Sequence, residues 1–211
     1  MARPRAVTYD DRVQSIIEHA AELFATRGFA GASIADIAEA AGISKALVYH
    51  YFRGKDEILY QLLRVHMAAL SAAMARAHRS GSEPEAQFRA LLRETMDIYA
   101  TARHKHMLLL NELDALAPEH RAEIVAAERR LIADVTDLLA RISPARMAKP
   151  RHRRPYAMLF YGMINWTYTW FRADGPVSPG EFADMAANIF LDGFRSADGG
   201  PSIKAVPIPT G

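Results

Sequence analysis

The 211-residue chain has no cysteine. Disulfides, thiolate metal sites and a cysteine nucleophile are therefore excluded, and a reducing compartment is expected. An excess of charge is also missing. Lys and Arg number 26 against 24 Asp and Glu, a net of +2. Any contact with nucleic acid must come from local clustering of basic groups, not from bulk charge. No stretch approaches about 18 uninterrupted apolar residues, so no membrane span is expected. The opening MARPRAVTYDD is charged without an apolar segment and does not read as a signal peptide. A soluble cytoplasmic protein is the default expectation. A nucleophile elbow, a glycine-rich phosphate loop, HExxH and paired Glu-x-x-His motifs are all missing, which argues against an enzyme and against a bound cofactor or catalytic metal. His104-x-His106 has metal-ligand spacing but no further ligands beside it. Alternating strand patterns and internal repeats are missing too.

What remains is helical. Half of the residues are hydrophobic, enough for a sizeable core. The chain is organised around residues 33–59, SIADIAEAAGISKALVYHYFRGKDEIL. Ser33 is an N-cap with Asp36 three residues on, a weak capping box. Ile34, Ile37 and Ala38 share one helical face. Gly42 falls where a left-handed turn residue is wanted. Ser44 caps a second short helix, whose apolar side is Leu47, Val48, Tyr51 and Phe52. Capped helix, glycine turn and capped helix is the sequence form of a helix-turn-helix.

A first helix precedes it, capped by Thr8 with Asp11 and ending at Gly28. Phe24, Phe29, Ile37, Leu47, Val48 and Phe52 are expected to share one small core. Lys55 opens a fourth helix, about 30–40 Å long, that links this head to the rest. Later helices start at Ser82, His106, Pro118, Pro155 and Ser178, where Ser178-Pro179-Gly180-Glu181 combines cap, proline and acid. Residues 143–155 read as a basic loop, and the helix after Pro155 is expected to run to Arg172. The fold class is all-α. The expected domains are a flexible basic arm (1–7), a helix-turn-helix domain (8–54), a ligand-binding and dimerisation domain (55–196) and a disordered tail (197–211).

The run Gly42-Ile43-Ser44-Lys45-Ala46-Leu47-Val48-Tyr49-His50-Tyr51-Phe52, with Lys55-Asp56-Glu57-Ile58-Leu59, resembles the DNA-binding head of the TetR (tetracycline-repressor) family. Leu47 and Arg53 depart from its pattern, which leaves base preference open. The resemblance implies a homodimer formed through the last two helices. It also implies a near-palindromic operator in double-stranded DNA and a repressor released by a small ligand. Its DNA-contacting positions fall on Ser33, Ser44, Lys45, Ala46, Tyr49, His50 and Lys55, with Lys55 a phosphate contact. Helix spacing independently turns Tyr49 and His50 outward and Tyr51 and Phe52 inward. Arg3 and Arg5 form either a frayed terminus or an arm that reaches DNA.

For the ligand, the aromatic stretch Met158–Arg172 is the most informative. Its Gly162, Asn165, Trp166 and Trp170 either line a cavity or are core and dimer packing. A buried Asn needs a hydrogen-bond partner. Tyr99, His104, Met107, Asn111 and Met158 are the other candidates. Methionines give an adaptable lining. Arg141, Arg146, Lys149, Arg151, Arg153 and Arg154 form the densest basic run. They are either a solvated loop or the grip on an anionic tail, with Arg151 and Arg154 as the candidates. The stretch is similar to TetR-type regulators of lipid, steroid or aromatic-acid breakdown, which implies an acyl-CoA effector. The alternatives are a sensor of hydrophobic drugs controlling efflux, an architectural DNA binder without a ligand, and a small helical enzyme acting on an acyl substrate.

Overall fold

The computed structural model describes residues 9–196. The arm with Arg3 and Arg5, the Thr8 cap and the tail from residue 197 lie outside the described residues. Every regular element among them is helical, in the order α1 (Tyr9–Gly31), α2 (Ile34–Ala40), α3 (Lys45–Tyr51), α4 (Lys55–Arg79), α5 (Pro84–Thr101), α6 (Arg103–Asn111), α7 (Pro118–Ile142), α8 (Pro144–Met147), α9 (Pro150–Asn165), α10 (Thr167–Trp170) and α11 (Pro179–Ser196). A 3-10 turn at Leu113–Ala115 separates α6 from α7.

Local chemistry explains most boundaries. Gly28 (φ 76°) bends α1 and Gly42 (φ 64°) turns the chain between α2 and α3. Both angles lie in the left-handed region that favours glycine. The box at α2 is fully formed: Asp36 N donates to Ser33 Oγ (3.2 Å) and Ser33 N donates to the Asp36 carboxylate (2.8 Å). Ser178 and Glu181 repeat the arrangement at the start of α11.

Four boundaries differ from expectation. Pro84 takes the first position of α5, so its cap is Glu83, not Ser82. The sixth helix begins at Arg103 and stops at Asn111, and the segment to Leu116 tightens into the 3-10 turn. The expected loop 143–155 is mostly helical. Pro144 and Pro150 each open a helix, where a missing N–H costs nothing, and Pro155 sits inside α9. The aromatic helix does not reach Arg172: it breaks at Trp166. There the Thr167 hydroxyl donates back to Ile164 O (2.6 Å) and the Thr169 hydroxyl to Trp166 O (2.8 Å). Such back-bonding competes with the helical ladder.

The core is one connected cluster. Phe24, Ile37, Val48 and Phe52 are buried in the head, with Phe29 half-buried against them. Leu47, expected in that core, is only half-buried and stays outside the cluster. Ile58 and Leu59 of α4 join the head to Leu62, Leu63, Met67 and Leu70 further along the helix. The 25-residue α4 contains a window of mean hydropathy 1.3, long and apolar enough by composition to cross a bilayer. Its apolar stripe is instead buried in this core, against α1, α5, α6 and α7.

Candidate functional site

Two sites emerge, one in the head before α4 and one beside the middle of α4. The first is the outer face of α3. Ser44 Oγ accepts from Leu47 N (3.1 Å), which fixes the start of the helix. Ser44, Lys45 and Ala46 are exposed there, as is Ser33 at the start of α2. One turn on, Tyr49 is 50% exposed and His50 is exposed, while Val48 and Phe52 are buried and Tyr51 is half-buried against Tyr9. The Lys45 ammonium lies 5.8 Å from the Tyr49 ring centroid. Two short helices thus present free N–H groups, hydroxyls and one cation on a single side, an arrangement suited to phosphate and base edges.

Lys55 departs from expectation. Its ammonium is turned inward and donates to the carbonyls of Phe29 (2.8 Å), Ala30 (3.3 Å) and Ala32 (3.1 Å), 4.6 Å from the Phe29 ring centroid. These carbonyls lie past the bend at Gly28, where an α-helix leaves acceptors without partners. Lys55 therefore ties the end of α1 to the start of α4, and all three of its N–H donors are committed there rather than to a phosphate.

The second site is an apolar cavity of about 200 Å³ between α4, α5, α6, α7 and α9. Its walls include Met67 and Leu70 from α4, Leu109 and Leu110 from α6, Leu131 and Ile132 from α7, and Met158 from α9. Polar groups come from Tyr99, His106, Glu128, Tyr161 and Asn165. The Tyr99 hydroxyl donates to Asn165 Oδ1 (2.8 Å), the partner a half-buried mid-protein Asn requires. The Tyr99 ring stacks on His106 at 3.6 Å between centroids. His106 Nδ1 faces His66 Nε2 at 3.3 Å, while His106 Nε2 is buried without a hydrogen-bond partner. Burial, and then the nearby Lys105 charge, pushes His66 down to about 4; burial, and then His66, pushes His106 down to about 3. Burial also raises the Glu128 carboxyl and the Tyr161 phenol.

Of the candidate ligand residues, Tyr99, Met158 and Asn165 line this cavity. The others do not. His104 and Asn111 are exposed, and Asn111 Nδ2 donates to Met107 O (2.7 Å) on its own helix. Met107 is half-buried and is not among the residues that line the cavity. His106, read with His104 as a solvated helix start, is instead 1% exposed. Two residues apart on a helix, the pair point to different sides, so His104-x-His106 makes no metal site. Gly162, Trp166 (63% exposed) and Trp170 (55% exposed) lie outside the cavity. Trp170 faces a surface cleft with Arg103 and Arg172. Arg151 and Arg154 are exposed in the first two turns of α9 and do not touch the cavity. They do fall on the same helical stripe as Met158, Tyr161 and Asn165. Arg141, Arg146 and Arg153 bond to Gln87, Tyr156 and Met147 O. The wall residues of α4 and α7 were hidden in ordinary apolar stripes. Only His66, a polar break in the stripe of α4, signalled them.

Comparison with known proteins follows the same division. Residues 16–62 match the model of bacterial regulatory proteins of the tetR family, and residues 81–194 match that of the tetracyclin repressor-like C-terminal domain. A TetR-family transcriptional regulator from Bordetella parapertussis is 40% identical, with a TM-score of 0.84 over 87% of this chain and 96% of that one. The HTH-type transcriptional repressor KstR2 of Rhodococcus jostii is 25% identical over 190 residues, 88% of this chain and 92% of its own. AibR, solved in complex with isovaleryl coenzyme A and operator DNA, has 26% identity and a TM-score of 0.73, over 84% of this chain and 97% of AibR. The chain belongs to the TetR family of DNA-binding transcriptional regulators.

Proposed function

We propose that this regulator is a repressor, acting as a homodimer in the cytoplasm, whose operator is released when an acyl-CoA effector enters the cavity between α4, α5, α6, α7 and α9. The observation that carries the reading is the double role of α6. His106, Leu109 and Leu110 wall the cavity, while Lys105 of the same nine-residue helix is ion-paired with Glu18 in α1 of the head. A ligand that moves α6 pulls on the head directly. Residues 8–54 then act as the DNA-binding domain. Ser33, Ser44, Lys45, Ala46, Tyr49 and His50 face DNA, and residues 55–196 bind the ligand and dimerise. Lys55 holds the head together.

The dimer reading draws on an unpartnered apolar face. Leu159 (63%) on α9, Trp166 (63%) at the break after it, and Met185 (54%) and Ile189 (69%) on α11 are exposed. Contiguous exposed apolar groups of this size mark interfaces, and a two-fold axis pairs such a face with itself. The acyl-CoA reading draws on the likeness to AibR, on the apolar cavity, and on Arg154 and Arg151, one and two turns before Met158 on the same helical stripe. The KstR2 name supports repression. A second reading, a sensor of hydrophobic drugs, has one specific observation behind it. Glu128 stands on the apolar wall without an ion-pair partner among the described residues, as a lipophilic cation would want.

The test is fluorescence anisotropy on an operator selected from random-sequence DNA. Acyl-CoA is expected to weaken operator binding about 5–150-fold, the usual range of allosteric coupling. Acyl-CoA that binds the protein at saturation and leaves operator affinity unchanged refutes the reading.

A further inference from the structure

We infer that the cavity takes a short uncharged acyl group of about four to eight carbons, with its carbonyl oxygen at the Asn165–His106 end, and that it rejects long chains and free carboxylates. This rests on the reading of the cavity as the effector site and adds the class of ligand.

Size sets the first limit. The cavity holds about 200 Å³. A cavity of about 150 Å³ suffices for benzene, whereas pockets for drug-sized ligands run to roughly 300–1,000 Å³. A four-ring steroid or a long acyl chain exceeds it. The inner wall allows little extension. Behind Leu70 and Tyr99 lies only a void of about 20 Å³, closed by Phe160, Met74 and Leu91. Those three side chains are at most 4% exposed and belong to the main core. A longer chain must displace them.

Polarity sets the second limit. None of the lining residues is Lys or Arg, and the one charged group is the acid Glu128. A free carboxylate entering here meets no cation and a like charge, which disfavours it. His66 and His106 do not supply one, since burial keeps both neutral near pH 7. An uncharged carbonyl fares differently. Tyr99 holds Asn165 by Oδ1, which turns its NH₂ donors away from that bond. His106 Nε2 is buried and unpartnered beside it, and becomes a donor when His66 donates to Nδ1. A small shift of the ring brings it to a ligand oxygen. Buried polar groups left open in this way discriminate strongly for a ligand that completes them.

The test uses isothermal titration of the full-length protein with N-acetylcysteamine thioesters, which carry no phosphate and so isolate the acyl end. Butyryl, hexanoyl, benzoyl and dodecanoyl thioesters are compared with free hexanoate and with benzyltrimethylammonium. Hexanoyl and benzoyl thioesters are expected to bind at least tenfold tighter than dodecanoyl thioester and hexanoate. Met74→Ala, or Leu91→Ala if that variant is unstable, opens the inner wall and moves the optimum to longer chains. Dodecanoyl binding as tight as hexanoyl, a preference for the cation, or an optimum unmoved in the folded variants overturns the inference. The two readings fail separately. A long-chain acyl-CoA that binds and releases DNA sinks the inference and leaves the regulator. Short thioesters that bind without releasing DNA sink the release mechanism and leave the inference.

Discussion

At the scale of single residues, two lysines of the head separate stability from recognition. Lys55 spends its charge on three backbone carbonyls, and Lys45 extends from the exposed start of α3. Lys55→Met is expected to lower unfolding stability by about 2–3 kcal/mol, because hydrogen bonds from a charged donor are worth about 1.5–3 kcal/mol and the carbonyls lose their partner. Urea unfolding measures this. The salt dependence of operator binding should keep its slope. Lys45→Ala should do the reverse: stability within about 0.5 kcal/mol of the parent, and a log–log salt slope shallower by about 0.9 for each phosphate that is no longer neutralised. Identical behaviour of the two variants would contradict the division.

The buried histidines make a second residue-scale prediction. Both have folded-state values, about 4 for His66 and about 3 for His106, below the ordinary 6.5. The unfolded chain therefore takes up protons first as pH falls. Stability is flat above about pH 7 and declines below about 6.5, by up to about 1.4 kcal/mol per pH unit for each histidine. The decline ends only below the folded values. Chemical denaturation from pH 7.5 to 4.5 checks it. His106→Phe should flatten part of the slope, and an unchanged profile would show that the pair titrates normally.

At the scale of elements, legibility in the sequence followed how local each signal was. The cap of α2, the turn at Gly42 and the box at Ser178–Glu181 are set within four residues, and the sequence displays them directly. The break at Trp166 was not visible. It depends on Thr167 and Thr169 bonding backward, while the aromatic pattern runs straight through. The start of α9 is ambiguous in the sequence because any of several prolines suits a first turn, and the helix opens at Pro150, not at Pro155. The cavity was the least legible. Its walls come from five helices, and a residue such as Leu131 lines it while looking like any core leucine. His104 and Asn111 looked informative because they interrupt an apolar run, yet they interrupt it on the solvent side. The pair Lys105–Glu18 joins α6 to α1 across residues far apart in sequence. Lys105→Met is expected to leave ligand affinity within about threefold and to reduce ligand-induced loss of operator binding, since coupling is carried by contacts that differ between two states. Loss of ligand binding with coupling intact would assign Lys105 to the cavity instead.

At the scale of the whole molecule, stability, symmetry and signal meet in one core. The cluster that starts at Ile16 in the head continues to Leu191 and Phe194 in α11. Arg93 holds Asp184 through two bonds (2.8 and 2.6 Å), and Arg89 bonds Asn188 (2.7 Å), so α5 and α11 are also fixed at the surface. What the fold leaves uncovered is the apolar side of α9 and α11. Ile189→Asp with Leu159→Glu should convert a dimer to a monomer, seen by light scattering at micromolar concentration, with the helical content retained. Operator affinity should collapse, because two heads about one helical turn of DNA apart bind as a unit. A double variant that stays dimeric would move the interface elsewhere.

Occupancy of the cavity and occupancy of the operator are expected to oppose each other. The most direct test is the operator dissociation constant, measured by anisotropy across a titration of hexanoyl-CoA, together with the hexanoyl-CoA dissociation constant measured with and without saturating operator. Linkage requires the two ratios to agree. Both constants are expected to rise by the same factor, between about 5 and 150. Hexanoyl-CoA that binds equally well to the free and the operator-bound protein would contradict this.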